Sequence, residues 1–316
     1  MFRQLALLVT ALVLTSSNVV AVTINEPVVK PIIGISIDNG DDPVVEASKL
    51  GMIEQVQLAG GIPLIFNDRG DRSPEKDLKH IDALIVQGDA LDVDPAQYGQ
   101  AKHPKTEIET DKTRTNYEDK IIASALKNKV PVLLICGGMQ RANVLMGGTL
   151  HQNITDLSGV SDVHGNNNGN PPEVPSLPVK VVGDSTLAKI LGTNSAMVNS
   201  FHHQALDKIG KGFRVVAYSD AYIRPDGTSG HLVEAIEGDP KGDFAQQFIL
   251  GLQFHPEMMP DNPLSVKIFA SFTKAAREYA LVNGLRHEDE KALRKISHNW
   301  QVSVGTSSIK RVRGKE

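Results

Sequence analysis

Short apolar runs alternate with amphipathic stretches along the first half of the chain. Residues 31–37 (PIIGISI) are almost wholly apolar, whereas residues 44–58 carry apolar side chains at helical spacing. Two further apolar runs, 81–86 and 130–135, stand on either side of an amphipathic stretch at 111–126. Apolar runs of this length are typical of parallel strands that are covered on both faces. The alternation therefore predicts an α/β fold with a doubly wound, mostly parallel sheet and helices on both faces.

The second half of the chain continues this pattern around one long loop. Residues 162–175 (DVHGNNNGNPPEVP) are so rich in Asn, Gly and Pro that they predict a surface loop. The apolar spacing at 263–282 predicts a closing helix. The other predicted elements are short: strands at 63–66, 179–182, 196–198, 213–217, 232–236 and 248–254, and helices at 139–146 and 185–191.

The N-terminus has the pattern of an export signal. Arg3 provides a short positive region, residues 5–14 are apolar apart from one threonine, and small residues precede position 22. We therefore predict export to a periplasm or out of the cell; an uncleaved anchor is the alternative. The predicted organisation is a signal peptide at 1–21, one α/β domain at 22–285 and a charged, solvated tail at 286–316.

Composition and charge narrow the function classes. The 316 residues include 33 Lys and Arg against 37 Asp and Glu, which gives a formal net charge of −4. Without a basic excess, nothing supports a nucleic-acid partner. The single cysteine excludes an intramolecular disulfide and any site built from several thiolates. No strongly apolar stretch follows the signal, so we expect no integral membrane span once the signal is removed.

The single cysteine, Cys136, lies where the apolar run 130–135 meets Gly137, Gly138 and a helical stretch. A nucleophile on a sharp strand-to-helix turn is presented at the carboxyl edge of the sheet, where open α/β folds place their sites. Small residues after it permit the tight turn, and the N-terminus of the following helix favours the thiolate. A buried structural cysteine at a strand end is the alternative.

A second candidate segment, GLQFHPE at 251–257, follows another apolar strand. If the chain is extended there, His255 and Glu257 face the same side, and Pro256 ends the strand between them. A histidine with an acidic partner can act as a general base and acid in acyl transfer. Taken alone, the segment also fits an ordinary turn.

Four ordered motifs together resemble a known family. They are CGGMQ at 136–140, GGTL at 147–150, VNSFHHQ at 198–204 and QFHPE at 253–257. The chain resembles class I glutamine amidotransferase-like proteins, and most closely their γ-glutamyl-γ-aminobutyrate hydrolase branch, which is peptidase C26-like. The resemblance extends over roughly residues 31–283 and implies a flavodoxin-like fold.

The resemblance implies a catalytic triad of Cys136, His255 and Glu257, in a domain that hydrolyses γ-glutamyl amide bonds of small molecules through a γ-glutamyl thioester. It also implies an oxyanion site made by the backbone N–H of Gly137 and of Gly88, and no cofactor. The residues that it places around the glutamyl group are Gln140, Asn199, Ser200, Phe201 and His202.

Two other functions stay open at this stage. One is an exported protein that binds glutamyl compounds without turnover, and the other is a glutaminase-type amidotransferase subunit. Asp89 favours the first, because its charge lies close to the predicted oxyanion site. The expected partner is a small γ-glutamyl substrate, and association of two chains into a homodimer is left open.

The histidines outside the triad predict no metal site. His202 and His203 are adjacent, and neighbouring residues on a strand face opposite sides, so the two rarely bind one ion. We expect His103, His151 and His164 to be solvated, because their contexts resemble loops or helix ends.

Overall fold

The computed structural model describes residues 10–15, 18–23, 29–37, 43–66 and 73–283. Within the predicted export signal, β1 (Thr10–Thr15) pairs antiparallel with β2 (Asn18–Thr23). The predicted tail at 286–316 lies outside the described residues.

One nine-stranded sheet carries the fold, in the order β4-β3-β5-β6-β13-β12-β11-β8-β9. The first five strands in this order are parallel, and the remaining pairings are antiparallel. The parallel strands are β3 (Ile32–Ser36), β4 (Ile62–Phe66), β5 (Ala83–Val86), β6 (Val132–Ile135) and β13 (Ile249–Leu252). The antiparallel part adds β8 (Leu177–Val181), β9 (Ser195–Val198), β11 (Phe213–Ile223) and β12 (Ser229–Gly238).

Helices cover both faces of this sheet, as the sequence predicts. They are α1 (Pro43–Leu58), α2 (Pro74–Asp77), α3 (Thr113–Lys127), α4 (Gly137–Leu145), α5 (Thr186–Leu191) and α6 (Pro263–Val282). Ile33 of β3 shares a core cluster with α1 and α6, whereas its neighbour Ile32 packs in a second cluster with α3 and α4. Because successive strand residues point to opposite faces, the two clusters are the two sides of one doubly wound sheet.

Helix α6 shows how local sequence and packing agree. Asn262 caps it by accepting a hydrogen bond from the backbone N–H of Leu264, and Pro263 occupies the first turn, where no amide partner is needed. Its Phe269 and Phe272 are fully buried. Burial of such a side chain contributes about 2–3 kcal/mol, so packing, more than helix propensity, holds α6 on the sheet.

The smallest elements and the length of one hairpin were not predicted from the sequence. A two-residue pair joins β7 (Leu150–His151) to β10 (Ala205–Leu206), and both segments are too short to show a periodicity. Strands β11 and β12 extend well beyond the predicted 213–217 and 232–236. Among the described residues, no helix has both the length and the apolar character needed to cross a membrane.

Candidate active site

Cys136 occupies a strained turn between β6 and α4. Its φ of 49° lies in the left-handed region that side chains other than glycine rarely adopt, with ψ at −109°. The turn is held because the Cys136 N–H donates to the carbonyl of Leu252 on the neighbouring strand β13, at 2.7 Å. Backbone strain of this kind persists only where the surroundings impose it, and it is concentrated at functional sites.

His255 and Glu257 meet just beyond the end of β13. The ring Nδ1–H of His255 donates to Glu257 Oε1 at 2.7 Å. The extended chain that the sequence predicts here is wrong, because Pro256–Met258 form one turn of 3₁₀-helix. This turn, and not the alternation of a strand, brings the imidazole and the carboxylate together and leaves Nε2 for Cys136.

The surroundings favour the protonated form of His255. Burial alone would lower its pKa, but the Glu257 carboxylate and the Cys136 sulfur, through charge and hydrogen bonding, raise the pKa of His255 to about 10. A histidine so placed keeps its proton at neutral pH. It is therefore ready to serve as an acid, provided that its partner sulfur can supply the nucleophile.

Gly88 and Gly137 approach the reacting groups as the predicted oxyanion residues should. A Cβ added to Gly88 would lie 3.1 Å from His255 Cε1 and 3.2 Å from Cys136 Cβ. Any side chain at position 88 would therefore occupy the space beside the sulfur and the imidazole. Gly137 follows Cys136 directly and packs against the backbone of Asp89, so the two predicted donors lie on adjoining segments.

The charge of Asp89 is held by two buried arginines. Arg114 Nη1 lies 2.9 Å from its carboxylate and Arg141 Nη2 lies 3.6 Å away. Glu118 completes the group, since it pairs with Arg114 at 3.2 Å and with Arg141 at 3.3 Å. Burial raises the pKa of Asp89 even though Arg114 opposes the shift. The negative charge that counted against catalysis in the sequence is thus compensated within the fold.

Two polar residues that the sequence analysis did not single out support the triad. Ser48 Oγ, on α1, donates to Glu257 Oε1 at 2.7 Å, and Gln253 Nε2 donates to Cys136 Sγ at 3.4 Å. Helix α1 comes this close because Gly51 has no side chain: a Cβ there would lie 2.2 Å from the Glu257 carbonyl oxygen. A glycine in the middle of an amphipathic helix was the available signal.

The residues predicted around the glutamyl group divide into two sets. Phe201 is half-buried, and its ring centroid lies 6.3 Å from that of His255. Asn199, Gln140 and Ser200 are buried instead, and their side chains bond to other protein groups. Phe201 therefore remains the most accessible of the predicted substrate contacts, and the other three are placed to position the site.

His202 lies in a buried group with His164 and Glu234. Its side chain is 1% exposed, and that of His164 is 2% exposed. The expectation that His164 is solvated is therefore wrong, because the Asn-rich loop folds back and covers it. His103 and His151 are partly buried beside Asp156 and Asp207, and His203, adjacent to His202, pairs separately with Asp92 at 3.1 Å.

Comparison with known proteins places the chain in a family. The model of the family described as peptidase C26 matches residues 31–257. This chain belongs to the peptidase C26 family. Protein NtpR of Enterococcus hirae is 32% identical over 235 residues, which cover 72% of this chain and 91% of NtpR. Gamma-glutamyl-gamma-aminobutyrate hydrolase PuuD of Escherichia coli is 29% identical over 228 residues, 70% of this chain and 83% of PuuD.

A solved structure shares the fold at low sequence identity. The glutaminase domain of Trypanosoma brucei CTPS superposes with a TM-score of 0.51 at 19% identity, over 79% of this chain and 94% of that domain. A GMP synthase protein of Thermoplasma acidophilum gives a TM-score of 0.52 at 15% identity, over 80% of this chain and 98% of its own. The predicted class I glutamine amidotransferase-like fold is confirmed, and peptidase C26 members are typically hydrolases.

Proposed function

We propose that this protein is a cysteine-dependent hydrolase of γ-glutamyl amide bonds in small molecules, with γ-glutamyl-γ-aminobutyrate-like compounds as substrates. The observation that carries the proposal is the 2.7 Å hydrogen bond from His255 to Glu257 beside the strained Cys136 turn. A nucleophile, a base and an orienting carboxylate in this order are the parts that acyl transfer requires. The name of the relative PuuD supports the substrate class.

The first half of the reaction forms a thioester. Cys136 Sγ, its proton held by His255, attacks the γ-carbonyl carbon, and the carbonyl π electrons move to oxygen. The N–H groups of Gly137 and Gly88 stabilise this oxyanion; loss of one such donor costs about 3 kcal/mol in other enzymes. When the tetrahedral intermediate collapses, the C–N bond breaks and His255 gives its proton to the departing amine.

The second half of the reaction releases glutamate. His255, now neutral, removes a proton from a water molecule, whose oxygen attacks the thioester carbonyl. The C–S bond then breaks, glutamate leaves with its new γ-carboxylate, and Cys136 returns to a thiolate beside the protonated imidazole. Glu257 keeps the imidazole in one tautomer in both halves, because Nδ1–H stays bonded to its Oε1.

A panel of γ-glutamyl amines, γ-glutamyl peptides and glutamine tests the proposal, with released glutamate measured by mass spectrometry. We expect turnover of γ-glutamyl amines by the wild-type protein and none by Cys136→Ala. Equal glutamate release by the two proteins would overturn the proposal. Binding without turnover would favour the non-catalytic alternative, and turnover confined to glutamine, with release of ammonia, would favour a glutaminase that serves a synthase.

Export remains part of the proposal. We propose that residues 1–21 direct the protein across a membrane and are then removed, because they combine Arg3, an apolar run and small residues before position 22. N-terminal sequencing of the protein purified from its own cells is the test. A mature chain that begins at about residue 22 would support export, and an intact Met1 in the soluble fraction would contradict it.

A further inference from the structure

The buried group of His164, His202 and Glu234 has the spacing of a metal site. One ligand atom from each residue lies within 4.8 Å of the other two. His164 Nδ1 is 3.2 Å from His202 Nε2, and His202 Nε2 is 3.9 Å from Glu234 Oε1. Two nitrogen ligands at about 2.1 Å from a tetrahedral zinc are separated by roughly 3.4 Å. The group therefore needs only a small adjustment to hold an ion.

Each of the three side chains is oriented by a partner outside the group. His202 Nδ1–H donates to the carbonyl of Gln204 at 2.9 Å, which leaves a lone pair on Nε2. Ser219 Oγ donates to Glu234 Oε1 at 2.7 Å. His164 Nε2 lies 3.5 Å from Asp220 Oδ2. Outer partners of this kind, a carbonyl or carboxylate behind each imidazole, are characteristic of metal ligands.

The tautomers leave two lone pairs facing each other. If His164 carries its proton on Nε2, toward Asp220, then its Nδ1 is an acceptor, and it receives the Ser200 hydroxyl at 2.8 Å. The opposite tautomer would turn a bare nitrogen toward the Asp220 carboxylate. The favourable arrangement thus places His164 Nδ1 and His202 Nε2, both with lone pairs, 3.2 Å apart. A cation between them removes this repulsion, and the hydroxyl can rotate aside.

The carboxylate of Glu234 provides the second, independent observation. Its side chain is fully buried, and Oε2 has no hydrogen-bond partner among the described residues. A buried carboxylate oxygen without a partner is costly unless a positive charge compensates it. No Lys or Arg is paired with it in the described part of the chain, whereas a dication would be bound by Glu234 and balanced further by Asp220.

We infer that His164, His202 and Glu234 bind a divalent transition-metal ion, with Zn²⁺ as the best match to two imidazoles and one carboxylate. Two nitrogen ligands and one oxygen ligand suit zinc better than Mg²⁺ or Ca²⁺, which prefer oxygen. Because His164 lies on the loop at 162–175, next to Gly165, a small displacement of that loop would admit the ion. No metal site was predicted from the sequence, because only the fold brings His164 and Glu234 to His202.

The site would lie one strand away from the triad. The backbone carbonyl of Glu234 accepts the N–H of Gln253, whose side chain contacts Cys136 Sγ. Because Cys136 is itself able to bind zinc, the test uses the Cys136→Ala protein as its background, and its result does not depend on hydrolysis. The inference and the proposed function can therefore fail separately.

The test measures Zn²⁺ binding to the chelator-treated Cys136→Ala protein by calorimetry and by metal analysis after dialysis. We expect one Zn²⁺ per chain, with affinity at least about tenfold weaker when Glu234→Gln or His202→Ala is added. His231→Ala is the matched control, because His231 is exposed and outside the group; it should bind as the background does. Far-UV circular dichroism checks that each variant is folded.

Two further readouts keep the test decisive. Zn²⁺ should raise the melting temperature of the background protein and leave that of the near-isosteric Glu234→Gln protein unchanged, and Co²⁺ should give the visible absorption of a tetrahedral site only in the former. Absence of Zn²⁺ binding would show a hydrogen-bonded histidine pair and nothing more, and would overturn the inference. Equal binding by the background and Glu234→Gln proteins would overturn it too.

Discussion

Asn199 holds the backbone of His255 at both of its polar groups. Its Oδ1 accepts the His255 N–H at 2.8 Å, and its Nδ2 donates to the His255 carbonyl at 3.0 Å. The same amide also donates to the carbonyl of Pro172. Asn199 is fully buried, so its side chain connects the Asn-rich loop to the segment that carries the imidazole. This arrangement gives Asn199 a positioning role.

Replacement of Asn199 by alanine should lower kcat far more than it changes KM. Without both hydrogen bonds, the imidazole is no longer held against Cys136, and small misplacements of reacting groups cost about 10²-fold. Steady-state kinetics with a γ-glutamyl amine provide the measurement. Asn116→Ala, at an exposed position of α3, is the control and should leave kcat unchanged. A rise in KM alone would instead return Asn199 to the substrate contacts.

Two buried serines should respond in opposite ways to alanine. Ser48 donates to Glu257 Oε1, whereas the hydroxyl of Ser265 has no hydrogen-bond partner among the described residues. Ser48→Ala should therefore reduce the free energy of unfolding by about 1–2 kcal/mol and lower kcat, because a hydrogen bond to the carboxylate is lost. Ser265→Ala should be neutral or slightly stabilising. Urea unfolding measures both, and equal effects would contradict the assignment.

Glu118 should be important for stability although it does not touch the triad. It lies between Arg114 and Arg141, and it also accepts a hydrogen bond from Ser36 at 2.9 Å. Glu118→Gln leaves two buried guanidinium groups with less than their compensating charge, and breaking such a group typically costs about 3 kcal/mol or more.

The control for Glu118 is Glu278→Gln. Glu278 is an exposed residue of α6 whose ion pair with Lys274 is on the surface, where such pairs contribute little. Urea unfolding should therefore show a large loss for Glu118→Gln and almost none for Glu278→Gln. Similar, small changes in both would indicate that the arginines are not dependent on Glu118.

The pH dependence of kcat/KM should have its upper limb near pH 10. The pKa of His255 is raised to about 10 in the folded protein, so the imidazolium that protonates the leaving amine is lost only above that pH. Glu257→Gln removes one cause of the raised pKa, so the limb should move to lower pH while kcat also falls. A limb that stays in place in Glu257→Gln would contradict the pairing of His255 with Glu257.

Much of the fold could be predicted because its central strands are buried on both faces. The runs at 31–37 and 130–135 are apolar almost without interruption and contain β3 and β6, and the spacing at 263–282 matches α6 residue for residue. The pairing β7–β10 could not be predicted, since two residues carry no period. The antiparallel half of the sheet was also not foreseen, because strand direction depends on connections and not on local pattern.

The triad could be predicted from its motifs, but its supporting residues could not. Ser48 lies 209 positions from Glu257, and only the packing of α1 brings them together. His164 stood in a loop that is rich in polar residues, and a polar loop ordinarily predicts solvation, whereas here it covers a buried group. Contacts between segments that are distant in sequence depend on the tertiary structure, and a single sequence does not contain that information in any local pattern.

The most direct measurement of the central claim is a search for the acyl-enzyme. The protein is mixed with a γ-glutamyl amine, quenched in acid within the first turnovers, digested and analysed by mass spectrometry. We expect a γ-glutamyl group on the peptide that contains Cys136, and its absence from Cys136→Ala. Release of glutamate by the wild-type protein with no adduct on this peptide, together with full activity of Cys136→Ala, would contradict the proposed mechanism.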